Sequence, residues 1–352
     1  MTDAGAGMSL PELGWGPRFQ SQLDLDEFET CRPARVAEVH RNGLDLISEA
    51  GPERIETGPA LPSRAFAVGD WLLLERDSGR PVRRLDRFSE MKRRAAGTGR
   101  EVQLIAANVD TLFITSSCNA DFNPPRLERY LALAEQADVT PLIVLTKADL
   151  ADDVDRYVDR ARALLPGLIV EPVDARDPDG LSALRPWCGR GQTVALVGSS
   201  GVGKSTLINA LSGLDLATQG IREDDAKGRH TTTARSLHRI AGGGWIIDTP
   251  GMRALRLLDA EEGVAAVFAD IADLAAACRF GDCSHDREPG CAVREAIEDG
   301  RLDPARLDRY RKLQREDRRN SESLAEQRDR DRALGKLYRS AQTAARDRRG
   351  NR

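Results

Sequence analysis

Gly198-Ser199-Ser200-Gly201-Val202-Gly203-Lys204-Ser205 has the residue types and spacing of a loop that wraps phosphate, G-x-x-x-x-G-K-[ST]. Its glycines let backbone N–H groups converge on phosphate oxygens at the start of a helix. In such a loop Lys204 bridges the β- and γ-phosphates, the Ser205 hydroxyl binds Mg2+, and Thr206 continues into the helix. The required context is present: Thr193–Val197 is apolar enough for the preceding strand, and Ser205–Leu211 has the pattern of the following helix.

Further along stand Gly228-Arg229-His230-Thr231-Thr232-Thr233 and Asp248-Thr249-Pro250-Gly251. Asp248 follows the apolar run Trp245-Ile246-Ile247, which places it at a strand end facing the phosphates. There it would hold Mg2+ through water while the Gly251 N–H senses the γ-phosphate. One of Thr231, Thr232 and Thr233 completes the Mg2+ shell, and Thr232 is the residue chosen. Met252 occupies the position where a glutamine often orients the attacking water, so hydrolysis needs another group. His230 is the nearest candidate; its alternative role is that of a loop residue that packs or caps.

Base selection points to Thr146-Lys147-Ala148-Asp149. One carboxylate accepts both N1–H and N2–H2 of guanine, whereas adenine would leave it unpaired. Lys147 offers an aliphatic stem to the base face. Thr146 stands where asparagine is usual, and its hydroxyl can still tie this loop to the phosphate loop. Val173-Asp174-Ala175 supplies a second base loop, the Ala175 N–H directed towards guanine O6, with Asp174 where serine is usual. The base-reading motif precedes the phosphate loop, although it ordinarily comes last, so the order is that of a circular permutation.

Cys278-x4-Cys283-x-His285-x5-Cys291 is a second constellation. Three thiols and an imidazole joined by short loops suit tetrahedral Zn2+, and a full Cys3His shell leaves no open position, so the site would be structural. Core cysteines or a redox pair are the alternatives.

At 352 residues the chain has room for two or three domains, and its 40% hydrophobic share can build cores. Six cysteines in a chain of this size do not suggest a disulfide scaffold. No apolar run of about 18 residues predicts a membrane span, and Met1–Gly7 lacks the pattern of a secretory signal, so a cytoplasmic protein is expected. The formal net charge of -4 conceals a basic stretch in which Arg80, Arg83, Arg84, Arg87, Lys92, Arg93, Arg94 and Arg100 face only Asp86 and Glu90. Such a stretch can contact a nucleic-acid backbone, or it can be a solvated linker.

These motifs position themselves on an α/β chain. Residues 1–32 read as an N-terminal extension. Residues 33–90 carry short alternating strands (34–39, 44–48, 54–56, 65–68 and 71–75) for a small barrel, OB-type by preference with SH3-like as the competitor. Residues 91–260 alternate strand and helix for a parallel, doubly wound sheet. Residues 261–352 read as helices around the cysteine cluster and a charged tail.

Taken together, the permuted order, G-S-S-G-V-G-K-S-T, G-R-H-T-T-T, D-T-P-G and C-R-F-G-D-C-S-H-D-R-E-P-G-C resemble the ribosome small-subunit-dependent GTPases, the RsgA family, over roughly residues 33–318. The resemblance implies an OB-type barrel, a circularly permuted P-loop GTPase domain and a C-terminal helical zinc-binding domain. It implies GTP as substrate with Mg2+ and one structural Zn2+. It also implies GTP hydrolysis stimulated by the small ribosomal subunit, rRNA binding, and a role in late maturation of that subunit by a monomer. Two other readings remain: an RNA-binding adaptor in which GTP is a switch with little turnover, and a permuted GTPase with a non-ribosomal client.

Overall fold

The computed structural model describes residues 7–58, 61–94, 102–177, 179–213, 236–248 and 257–321. Its centre is made by short apolar runs covered on both faces, the pattern of parallel strands. In chain order the strands are β1 (Cys31–His40), β2 (Gly43–Ser48), β3 (Gly51–Glu56), β4 (Trp71–Glu75), β5 (Pro81–Arg84), β6 (Glu90–Arg94), β7 (Val102–Ala107), β8 (Thr111–Ser117), β9 (Thr140–Thr146), β10 (Ile169–Pro172), β11 (Thr193–Gly198), β12 (Ser236–Arg239) and β13 (Trp245–Asp248). The helices are α1 (Pro17–Gln20), α2 (Leu25–Thr30), α3 (Pro124–Gln136), α4 (Val154–Arg162), α5 (Lys204–Ser212), α6 (Glu261–Val267), α7 (Ala269–Ala276), α8 (Ala292–Glu298) and α9 (Pro304–Ser321).

One sheet joins most of these strands in the order β10-β9-β8-β11-β13-β12-β1-β2-β3. From β10 to β13 the pairs are parallel, with α3 and α4 crossing between consecutive strands. β8, β9 and β10 precede β11 in the chain, and β8 pairs with it so that all three lie on its one side. The sheet is therefore one that the unpermuted order would also build. Beyond β13 the pairing turns antiparallel, and Ser236 of β12 faces Glu38 of β1. The sheet thus runs on into the N-terminal strands, where β1 also pairs with β2 and β4, and β4 with β5.

Those N-terminal strands enclose their own core of Ala34, Val36, Leu44, Leu46, Phe66, Leu72 and Leu74. Among the described residues no pair joins β3 to β5, so the pairing defines an antiparallel sheet around that core rather than a closed barrel. Two sequence expectations need correction. Residues 65–68 are not a strand: a single 3-10 turn at Ser63–Ala65 is followed by a lone bridge from Val68 to Ala106. The cause is the turn chemistry after it, because the Asp70 carboxylate accepts the Ala67 N–H at 2.7 Å and holds the chain in a bend. The basic stretch from Arg80 is not a free linker either, for it contains β5 and β6. Several of its charges are tied to acids: Arg83 to Glu27 at 2.6 Å, Arg87 to the fully buried Asp70 at 2.7 Å, and Lys92 to Asp259 at 3.7 Å.

The N-terminal segment is packed rather than appended. Leu13 is fully buried, and Trp15 and Phe19 stack at 5.6 Å against Trp71, which meets Trp15 edge-on at 5.0 Å. The Trp245 indole of β13 donates to the Glu12 carbonyl at 2.7 Å. At the meeting point lies Arg35 of β1, 1% exposed, whose guanidinium donates to the Leu13 carbonyl and to Thr193 Oγ1, each at 2.7 Å. Thr193 begins β11, and its N–H donates to Asp110 Oδ2 at 2.7 Å. Burial pushes the Arg35 pKa down to about 10, with Asp110 opposing, so the group stays charged at neutral pH. Gly14 must be glycine here: its φ is +91°, and a Cβ would lie 2.8 Å from the Gly191 carbonyl and 3.0 Å from the Arg35 guanidinium.

Replacing Arg35 by Ala leaves the Leu13 carbonyl, Thr193 Oγ1 and Asp110 without their cation and opens a cavity. The expected loss is about 3–5 kcal/mol, read as a lowered urea midpoint. A loss under about 1 kcal/mol would show that this junction does not hold the modules together.

Candidate functional site: a nucleotide pocket and a Cys3His cluster

The pocket forms where β8, β9, β11 and β13 end on one edge of the sheet, with β11 between β8 and β13. Loops at the C-terminal ends of such strands are where doubly wound sheets bind ligands. The phosphate loop leaves β11 at Gly198, aligned with Thr115 of β8, and a Cβ at Gly198 would sit 2.3 Å from the Thr115 carbonyl. No other residue fits, and the close approach turns the chain towards Gly201, Gly203 and the start of α5 at Lys204. Lys204 Nζ donates to the Gly198 carbonyl at 2.9 Å and to that of Ser199. It is thus folded across the loop in which Ser199, Ser200 and Val202 lie, while Ser205 and Thr206 stand in the first turn of α5.

Asp248 closes β13 beside this loop. Burial raises its pKa, while the charges of His238 and Lys204 lower it, so the carboxylate, the lysine and the imidazole share one neighbourhood. His238, on β12, has Nε2 2.8 Å from Ser236 Oγ, and burial lowers its pKa against the pull of Asp248 and Glu38.

The base-reading loop leaves β9 at Thr146, which is aligned with Ser117 of β8. Thr146 Oγ1 donates to the Val202 carbonyl at 2.5 Å, with the Ser116 carbonyl at 3.1 Å sharing the same proton. Lys147, in the left-handed conformation at φ 56°, donates from Nζ to the Gly201 carbonyl at 2.9 Å. Two side chains of this loop therefore fasten to the phosphate loop. The threonine hydroxyl makes the tie that the sequence reading allowed it. The Asp149 carboxylate meets the Arg176 guanidinium, which also approaches Asp174, and Ala175 between them is buried. His230, Thr231, Thr232, Thr233, Gly251 and Met252 lie outside the described residues.

Sequence reasoning missed Arg176, Arg126 and His238. Arg176 adjoins Ala175, and the acid at 174 was the signal that a cation should be near. Arg126 sits in the first turn of α3, whose N-cap Asn123 accepts the Arg126 N–H at 3.1 Å. Its guanidinium donates to Ser199 Oγ in the phosphate loop and pairs with Asp121 at 3.1 Å. The same helix carries Glu128, fully buried, which accepts from Arg309 at 2.8 Å and Arg306 at 3.3 Å. Burial raises the Glu128 pKa and Arg309 draws it back. Arg129 reaches Glu316, so α3 touches the phosphate loop with one side chain and α9 with the next.

Cys278, Cys283, His285 and Cys291 converge, their ligand atoms all within 4.8 Å of one another. Cys278 Sγ and Cys291 Sγ are 3.9 Å apart, and each lies 3.5 Å from His285 Nδ1. A tetrahedron with metal–sulfur bonds of about 2.3 Å has edges near 3.8 Å, so the donor set fits Zn2+. The intervening loop is held by Glu288, whose carboxylate accepts the N–H groups of Ser284, Asp286 and Arg287 at 3.0–3.1 Å and the Ser284 hydroxyl. These donors, Ser284 first, pull its pKa well below the usual carboxylate range.

A phosphate loop at the switch point of a parallel sheet, with the base loops arriving from earlier strands, defines a P-loop nucleotide-binding fold in permuted order. A model of the RsgA GTPase family matches residues 84–258. The small ribosomal subunit biogenesis GTPase RsgA 2 of Vibrio parahaemolyticus is 52% identical over 340 residues, covering 96% of this chain and 94% of that protein. The corresponding RsgA of Mesorhizobium japonicum is 53% identical over 317 residues, 89% of this chain and 91% of the relative. Among solved structures, YjeQ from Thermotoga maritima aligns with a TM-score of 0.59 at 27% identity, covering 80% of this chain and 97% of that one. YloQ, a circularly permuted GTPase, aligns at 0.58 and 25% identity, covering 84% and 97%. The chain belongs to the RsgA GTPase family.

Burial pushes the Cys118 thiol up to about 11 and the Cys188 thiol up to about 12, so both should react slowly. Chelation of a bound zinc should release one metal per chain and open Cys278, Cys283 and Cys291, its ligands, to alkylation that the metal had blocked. Release of metal without new labelling at these three positions would place the zinc elsewhere.

Proposed function

We propose that this protein hydrolyses GTP on the small ribosomal subunit during its late maturation, in contact with rRNA. The observation that carries the reading is the double tie of Thr146 and Lys147 to the phosphate loop, which builds one pocket for base and phosphates. The names of relatives more than half identical to the chain supply the ribosomal context.

In this reading the N–H groups of Gly198–Gly203 and Lys204 Nζ cradle the phosphates. Ser205, Thr232 and Asp248 would hold Mg2+, which would neutralise charge on the phosphates, and the Gly251 N–H would sense the γ-phosphate. Asp149 reads the guanine edge, Lys147 covers the base face, and Ala175 beside Asp174 meets O6. His230 positions the attacking water, because Met252 cannot. The Cys3His cluster holds a structural Zn2+ between α7 and α8. The protein acts as a cytoplasmic monomer of four segments, residues 1–32, 33–90 (OB-type), 91–260 and 261–352. Among the described residues no helix is long and apolar enough to cross a membrane.

The test is GTP turnover by the zinc-loaded protein alone, with small subunits and with large subunits. Stimulation confined to small subunits is the expected result. Tight GTP binding without stimulation by either would leave a different client or a non-turning switch.

In this reading the rRNA contact lies outside Arg83, Arg84 and Arg87, since Arg83 and Arg87 are committed to acids and Arg84 lies 3.8 Å from Asp70. Arg41 and Arg64 are exposed at neighbouring turns, which Ser63 Oγ joins by donating to the Arg41 carbonyl at 2.9 Å. Reversing both charges should weaken subunit binding by about tenfold and flatten its salt dependence while GDP affinity is kept. Unchanged subunit binding would move the contact elsewhere.

A further inference from the structure

Asp149 and Asp174 belong to loops that follow different strands, β9 and β10, and a single side chain stands between them. Arg176 donates from Nη2 to Asp149 Oδ2, while its Nε lies 3.5 Å from Asp174 Oδ1. The backbone N–H of Arg176 donates to that same Asp174 oxygen at 2.9 Å, a local turn that fixes where the side chain starts. We propose that Arg176 is a positioning residue for guanine recognition, a cationic bridge that holds the Asp149 carboxylate in register with the second base loop. The proposal rests on the reading of Asp149 as the group that accepts the guanine edge.

The chemistry requires such a bridge in this chain. A hydroxyl at position 174 could donate to Asp149 and steady it, whereas a carboxylate there is an acceptor. It instead brings a second negative charge towards a carboxylate that must stay in place. A guanidinium supplies several donors in a planar fork and can serve both acids at once. The bridge does not exclude the base. A carboxylate has about four lone-pair positions, and N1–H and N2–H2 of guanine use one on each oxygen, leaving one on Oδ2 for Arg176. Arg176 is well exposed, so the bridge is screened by solvent, and its effect is that of a steadying contact rather than an anchor.

The opposite possibility is that Arg176 is a plug, occupying Asp149 until guanine displaces it. The two differ in sign. Binding and dissociation of a fluorescent GDP analogue are measured with the full-length, zinc-loaded chain and Mg2+. Under the proposal Arg176→Ala weakens affinity about threefold to tenfold through faster dissociation, because two like charges are left facing each other. Adding Asp174→Ser to that variant removes the repulsion, returns a hydroxyl donor and restores affinity to within about twofold of the parent. Arg176→Lys, a point charge that cannot reach both acids bidentately, falls in between. Affinity equal to or tighter than the parent's in Arg176→Ala, or no recovery with Asp174→Ser, would overturn the bridge. Failure of the folded parent protein to bind the GDP analogue at all would overturn the base-pocket reading itself, and is told apart because no variant is needed to see it.

Discussion

A buried cation holds this architecture together. Arg35 contributes no catalytic chemistry, yet it contacts the N-terminal segment through the Leu13 carbonyl and the phosphate-loop strand through Thr193. An arginine without solvent is costly, and a buried charge pair seldom adds net stability over apolar packing. What it does is restrict geometry: the fork-shaped donor accepts one relative placement of β1, the N-terminal segment and β11. Asp110 sets the other side of that placement by capping the Thr193 N–H. The nucleotide pocket therefore inherits its position from a junction at the opposite end of the strand that supplies it.

Ion pairs do similar work elsewhere in a chain with few aromatics. Glu128, dehydrated on α3, is satisfied only when Arg306 and Arg309 of α9 arrive, and Arg306 also spans to Asp270 of α7 at 2.6 Å. Two residues earlier on the same helix, Arg126 touches Ser199 of the phosphate loop. One helix, α3, thus contacts both the phosphate loop and the C-terminal helix α9. Close backbone packing also holds it against α6. A Cβ on Gly263 of α6 would lie 2.2 Å from the Ala132 carbonyl of α3.

The nucleotide loops were legible in sequence because their chemistry is local. A phosphate loop needs glycine, lysine and serine at set intervals, and buried parallel strands show as unbroken apolar runs such as Thr111–Ser117 and Thr140–Thr146. The cysteine cluster was legible for the same reason. The β5 and β6 strands were not, since a stretch rich in arginine resembles a solvated linker until the partners Glu27 and Asp70 are known to lie opposite. The packing of residues 7–30 was hidden too: Trp15, Phe19 and Leu13 show no period, and their burial depends on Trp71 and Arg35, which are distant in sequence. Arg176 was passed over because its meaning depends on two acids brought together only by folding.

The permuted order also has a consequence for synthesis. Strands β8 to β10, with the Thr146–Asp149 and Val173–Ala175 loops, emerge from the ribosome before the Gly198–Ser205 loop exists. Arg35 must wait longer still, for its acceptor on Thr193 lies 158 residues downstream. Until then its guanidinium has water as its partner and the N-terminal segment has no wall to rest on. A nascent chain of this kind closes such long-range contacts late, at the loop-closure cost that slows folds of high contact order. A chain that ends before β11 leaves the Arg35 guanidinium without its acceptor on Thr193, and the two modules without their shared tie.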